Sequence, residues 1–166
     1  MPNLFLKRVL AFIIDYVVII AYATCLFLAS TFLSSQFDFQ LSFDSPFKNQ
    51  MVSFISLTLP VFLYFFLSER SKSKGTIGKR ILKLKVVGAT ESSRGNLFLR
   101  NFLKFLPWEI AHIGVYQIAF YNNENIWVWI SLILPQVIVI IYVISVFLSK
   151  GKQSVYDKLS RTKISD

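Results

Sequence analysis

The sequence predicts an all-α integral membrane protein, a four-transmembrane-helix bundle with an amphipathic cytoplasmic loop. Three observations carry that prediction. Of 166 residues, 54% are apolar and 17 are Phe, which is too apolar for an ordinary soluble domain of this size. The apolar residues fall into runs long enough to cross a bilayer. Seventeen of the 18 Lys and Arg residues fall on one side of the resulting topology. The whole chain, 1–166, is read as one membrane domain.

The first run, Val9–Leu33, is 25 residues long and follows Lys7 and Arg8. At about 1.5 Å per residue it spans a core of about 30 Å with some tilt. It is much longer than a signal-peptide core and Asp15 interrupts it, so it reads as a retained anchor. The second, Met51–Leu67, has 17 residues and contains Pro60. The third, Phe102–Tyr121, carries Lys104, Glu109 and His112 and hesitates between a span and an interfacial helix. The fourth, Ile126–Leu148, has 23 residues and contains Pro135. Prolines are tolerated in membrane helices, where they kink the rod and free a carbonyl.

Loop charge decides the third run. With four spans and both termini inside, the inner segments 1–8, 68–104 and 149–166 hold two, ten and five basic residues. The outer segments, 34–50 and 122–125, hold only Lys48, with Asp38, Asp44 and Glu124. A three-span arrangement would put the basic tail outside, against the inside preference of Lys and Arg. Trp108 lies near the inner end of the third run, and Tyr121, Trp127 and Trp129 flank the outer loop, as interfacial aromatics do.

The inner loop is patterned. After Gly75-Thr76-Ile77-Gly78-Lys79-Arg80, the apolar Leu82, Leu84 and Val86 alternate with Lys83 and Lys85, predicting a short extended segment with one greasy and one basic face. Gly88 and the stretch from Ser92 to Asn96 read as turns. Arg100 and Lys104 share a helical face, so the segment before the third run is expected to lie on the inner leaflet.

Composition also excludes. One Cys and one His cannot make a tetrahedral Cys/His zinc site from this chain alone. The net charge of +9 is juxtamembrane, which fits topology and anionic headgroups, not nucleic acid. The glycine loop is not a phosphate loop: Ser73 stands where its first Gly belongs and Arg80 where Ser or Thr belongs.

Four local patterns together resemble the RDD family of small membrane proteins, named for an Arg and two Asp. The family's first helix opens with Arg and carries Asp two turns later, here Arg8 and Asp15. Its inner loop carries Gly-x-Thr-x-Gly-Lys or a close variant, here Gly75, Thr76, Gly78 and Lys79. An Arg in an amphipathic segment follows, here Arg100, and then an Asp with Thr five residues later, here Asp157 and Thr162. There are two departures. Tyr156 stands where the family usually has His, so a proton-handling role does not carry over to that position. Lys83 stands near a place where Gly is common. The resemblance implies a membrane protein of largely undefined activity, for which transport is often suggested.

Each candidate has two readings. Arg8 and Asp15 share a helix face, but Arg8 leans toward the N-terminus and is expected to snorkel to headgroups. Asp15 then needs a partner from another helix, a proton or water. It is either a packing lock or a cation or proton site, because a charge there is costly, by roughly 2.5–3.5 kcal/mol at a helix centre. Glu109 and His112, three apart, are placed at a depth similar to Asp15, as a proton-coupled cluster or as a satisfied polar patch. Lys79 and Arg80 are expected to face lipid phosphates from a tight turn. Asp157 is either a surface cap residue or the anchor that docks the tail on the inner loop, through Arg80 or the backbone near Gly78.

The expected function is a small transporter or ion-exchange component of the cell membrane, using Asp15 with protons or a small cation, as a homo-oligomer or with a membrane-protein partner. The alternative is a non-catalytic assembly or accessory protein that binds other membrane proteins or anionic lipid. No metal motif, Cys/His constellation or triad spacing points to an enzyme, and no cofactor is expected.

Overall fold

A computed structural model describes residues 3–37, 45–90, 95–121 and 125–166. The expected outer-loop acids Asp38, Asp44 and Glu124, and the turn residues Ser92, Ser93 and Arg94, lie outside the described residues. The chain is mostly helical. Helix α1 is Leu4–Phe37, α2 is Pro46–Ser53, a π-helical turn is Phe54–Thr58, and α3 is Leu59–Arg70. A short α4, Ile77–Ile81, and strand β1, Lys85–Gly88, follow. Then come α5, Leu97–Tyr121, α6, Ile126–Leu148, α7, Val155–Leu159, and strand β2, Thr162–Ser165.

Three helical segments are long and apolar enough to cross a membrane: Leu4–Gln36, the continuous Pro46–Arg70, and Ile126–Leu148. Helix α5 has 25 residues and packs along α6, but it carries Arg100, Lys104 and Glu109. The helices overrun the apolar runs at several ends because helical hydrogen bonding continues through charged residues when those find partners. The expected leaflet-bound segment before the third run is instead the first part of α5. Arg100 in it is 1% exposed, turned to buried acids and not to headgroups.

Two prolines act alike. Each lacks an N–H and crowds the carbonyl four residues earlier. Pro60 would free Ser56 O, which accepts from Tyr22 Oη of α1 at 2.6 Å. Pro107 would free Leu103 O, which accepts from Tyr142 Oη of α6 at 3.0 Å. A tyrosine from a neighbouring helix thus fills the gap that each proline opens in the ladder. Helices α5 and α6 come close at Gly114, where a Cβ would meet Ser131 Oγ at 2.5 Å.

The tight core lies at one end, where the N-terminal turns of α1, the 75–88 loop and the tail meet. Ala11, Leu84, Val86 and Ile164 are buried together, with Leu4, Leu82 and Leu97 against them. Strands β1 and β2 pair antiparallel, with Lys85 opposite Ser165 and Gly88 opposite Thr162. The alternation expected after the loop is present, with Leu84 and Val86 buried and Lys83 and Lys85 exposed. The greasy face meets the tail strand and α1 instead of a leaflet. Lys83 has φ 58° at the end of α4, where Leu84 N donates to Lys79 O and Lys83 N to Arg80 O. That is the left-handed cap position that favours glycine, which accounts for the family's preference there.

Candidate functional site: a buried charge clasp

Asp15 sits on α1, 2% exposed, while Ile13 and Val17 on other faces are 51% and 61% exposed. Ala11, one turn earlier on the same face, is small. Gly78 of α4 lies against it so closely that a Cβ there would be 2.1 Å from Ala11 O. This close approach brings the α4 N-terminus onto the carboxylate. Gly78 N donates to Asp15 Oδ1 at 2.9 Å, Thr76 Oγ1 to Oδ2 at 2.5 Å, and Tyr64 Oη of α3 to Oδ1 at 3.0 Å. Tyr64 Oη also accepts from Ile77 N at 3.0 Å. Asp15 therefore takes its partners from other elements, as required: Thr76 and Gly78 of the glycine loop and Tyr64 of α3.

The expected role of Lys79 is corrected. It does not face lipid; it is 7% exposed and its Nζ lies 2.5 Å from Glu69 Oε1 of α3. Burial pushes its ammonium below the ordinary lysine range, against the pull of Glu69. The loop that holds it is a helix with a capped end, not a bare tight turn. Arg80 turns back on its own loop, donating to Gly75 O at 2.8 Å.

Glu69 also takes Arg100 Nη1 at 2.5 Å and Asn101 Nδ2 at 3.0 Å. Arg100 continues to Asp157, its Nε 2.8 Å from Oδ1. Arg8 meets the other oxygen, Nη2 to Oδ2 at 2.6 Å, and also reaches Tyr156 Oη at 2.9 Å and Gly151 O at 3.2 Å. Arg8 thus does not snorkel to headgroups. It does keep away from Asp15, as its lean predicts. The result is an alternating chain, Lys79–Glu69–Arg100–Asp157–Arg8, that ties together α4, α3, α5, α7 and α1.

Asp157 is a helix cap and an anchor at once. Its Oδ2 accepts from Ser154 N at 2.8 Å at the start of α7, and Thr162 Oγ1 lies 3.3 Å from Oδ1. Burial alone would push its carboxyl up, but the guanidinium groups of Arg100 and Arg8 outweigh it and hold the pKa below the ordinary aspartate range. The expected contacts from Asp157 to Arg80 and to the backbone near Gly78 are replaced by these. The tail does dock on the loop, but through β1 and β2. Tyr156, in the place of the family's His, packs its ring against Tyr142 at 5.0 Å and near both guanidinium groups.

Glu109 and His112 have partners separate from those of Asp15. Glu109 Oε2 accepts from Gln50 Nε2 of α2 at 3.2 Å, and His112 packs its ring on Trp108 at 4.7 Å. The sequence reading missed Glu69, Asn101, Lys104 and Tyr64. Glu69 had one signal: it is one of only two carboxylates in the ten-cation segment 68–104. Lys104 Nζ lies 3.3 Å from the centroid of the Phe65 ring, a cation–π contact that sequence spacing does not reveal.

The family model of the RDD family matches residues 2–161. The chain belongs to the RDD family. No curated protein and no solved structure matches it. The RDD residues divide between the two halves of the clasp. Arg8 and Asp157, 149 positions apart, are bonded to each other, and Asp15 holds the glycine loop beside them.

Proposed function

We propose that this RDD protein is a four-span cell-membrane protein with both termini in the cytoplasm, working as a small transport or ion-exchange component whose clasp is the cytoplasmic gate. The observation that carries the reading is the alternating ion chain. Five elements from the whole length of the sequence are held at one end by five charged side chains, and none of the three carboxylates, Asp15, Glu69 and Asp157, is more than 2% exposed. A network of this kind has two discrete arrangements, paired or broken, and is suited to a gate. In this reading Asp15 acts by pinning the glycine loop that carries Lys79 into the chain. Protons or a small cation are the transported species, and a second copy supplies the other half of an alternating-access unit.

Flux from proteoliposomes tests it. Proton or monovalent-cation flux above that of empty vesicles is expected from the parent, and Asp15→Asn is expected to abolish it or turn it into an ungated leak. Equal flux from parent and empty vesicles would end the transport reading.

A second reading, an assembly or accessory protein, is favoured by the flank of α1. Phe12, Val17, Phe27 and Phe32 are 56% to 65% exposed along it, an apolar surface available to another membrane protein or to lipid. Photo-crosslinking from Phe27 in native membranes separates the two occupants.

A further inference from the structure

Two buried heteroatoms in the middle of α5 face each other just beyond hydrogen-bond distance. Glu109 Oε1 and His112 Nδ1 are 3.8 Å apart, on one helix face, and neither has a hydrogen-bond partner. The other carboxylate oxygen is occupied by Gln50 Nε2 at 3.2 Å. The imidazole is held between aromatic rings, with Trp108 edge-on at 4.7 Å and Tyr116 at 6.1 Å. An unpartnered buried polar atom costs free energy, and here there are two side by side. One proton removes both costs. With both ring nitrogens protonated, Nδ1 is a donor whichever tautomer the neutral ring has, and the pair's net charge goes from −1 to 0.

We propose that Glu109 and His112 form a proton-binding pair, in which one proton is taken up on His112 Nδ1 and held toward Glu109 Oε1. The proton comes from water and forms one N–H bond; the carboxylate keeps its charge and becomes the acceptor. Small side-chain rotations close the gap to a charge-assisted hydrogen bond of about 2.8 Å. Helix α2 offers Gln50 and carries one cation, Lys48. The π-helical turn holds no titratable group, and the only one on α6, Tyr142, is bonded to Leu103 O. On α5 itself, Lys104 lies over Phe65, and Tyr116 sits beside the imidazole. At the far end, Glu69 of α3 and Asp157 of α7 are engaged in the clasp, while Arg70 and Lys158 of the same elements are exposed. The proposal does not rest on the transport reading.

The chain contains one His, so histidine labelled with nitrogen-15 reports this ring alone. The experiment titrates the full chain in lipid nanodiscs by NMR. At high pH the expected signal is a neutral ring with one bare nitrogen, and acidification is expected to protonate it. In Glu109→Gln, proton binding is expected to weaken tenfold or more. Equal proton binding in parent and variant would overturn the proposal. If the variant does not fold, the parent decides. A ring that stays neutral throughout the folded range, or a carboxylic-acid infrared band appearing in place of imidazole protonation, overturns it. So does sodium chloride at constant pH moving the ring signals as acid does, since the site would then take a metal cation.

Discussion

Arg100 bridges Glu69 and Asp157 while 1% exposed, so its removal leaves two buried carboxylates short of a partner. Breaking a buried pair from one side costs about 3–5 kcal/mol, far more than an exposed pair contributes. Arg100→Met is therefore expected to destabilise the protein by about 3–5 kcal/mol in denaturant unfolding from detergent. Arg100→Lys is expected to rescue only part, because an ammonium cannot reproduce the guanidinium's planar fork. Asp157 gives a pH dependence whose sign follows from its depressed pKa. The unfolded chain binds the proton more readily, so the stabilisation is fully present above the ordinary aspartate range and is lost as pH falls through the lower folded value. Thermal unfolding against pH should show an acid step below the ordinary range that Asp157→Asn lacks. Arg8, Asp15 and Asp157 were legible in the sequence as motif positions. Their partners were not. Lean and snorkelling describe one helix in lipid, whereas Arg8 is captured by a tail 149 residues away.

At the scale of elements, the clasp depends on how closely α4 can approach α1. Gly78 faces Ala11 backbone, which cannot yield as a flexible side-chain tip would. Gly78→Ala must lift α4, lengthening the bond from Gly78 N to Asp15 and drawing Lys79 from Glu69. Overpacking of this kind costs about 1–3 kcal/mol before the lost hydrogen bond is counted. The expected result is a lower unfolding midpoint and faster proteolysis at Lys79–Lys85; an unchanged cutting rate would mean that α4 is not held by this contact. Strand β1 was legible because Leu84 and Val86 alternate with lysines. Strand β2 was not, since Thr162–Ser165 is four residues long and shows its inward face only against β1. The short α4 was hidden because five residues carry too little periodicity to separate a helical turn from a loop.

For the whole molecule, four spans require α5 to cross the bilayer with Arg100, Lys104 and Glu109 in it. Apolarity alone selects three helical segments and passes over α5. Two of those charges are sheltered by other elements: Arg100 by Glu69 of α3 and Asp157 of α7, and Lys104 by the Phe65 ring of α3. A helix whose charges are matched within the fold is less costly to insert than its composition implies, because the desolvation is shared with partners already in place. Three cations, Arg8, Lys79 and Arg100, are used up by the clasp, their charged ends turned to buried acids. The loop and tail keep further exposed lysines on the same end, so the one-sided distribution of cations survives that subtraction. The four-span arrangement therefore predicts that reporters fused after Phe43 and Asn123 read external, and that those after Glu91 and Asp166 read cytoplasmic. An external signal at Asp166 would leave α5 on the inner surface and exclude four spans. With four spans, Arg100→Met should also weaken the external signal at Asn123, because Lys104 and Glu109 would enter the bilayer beside a clasp that no longer closes.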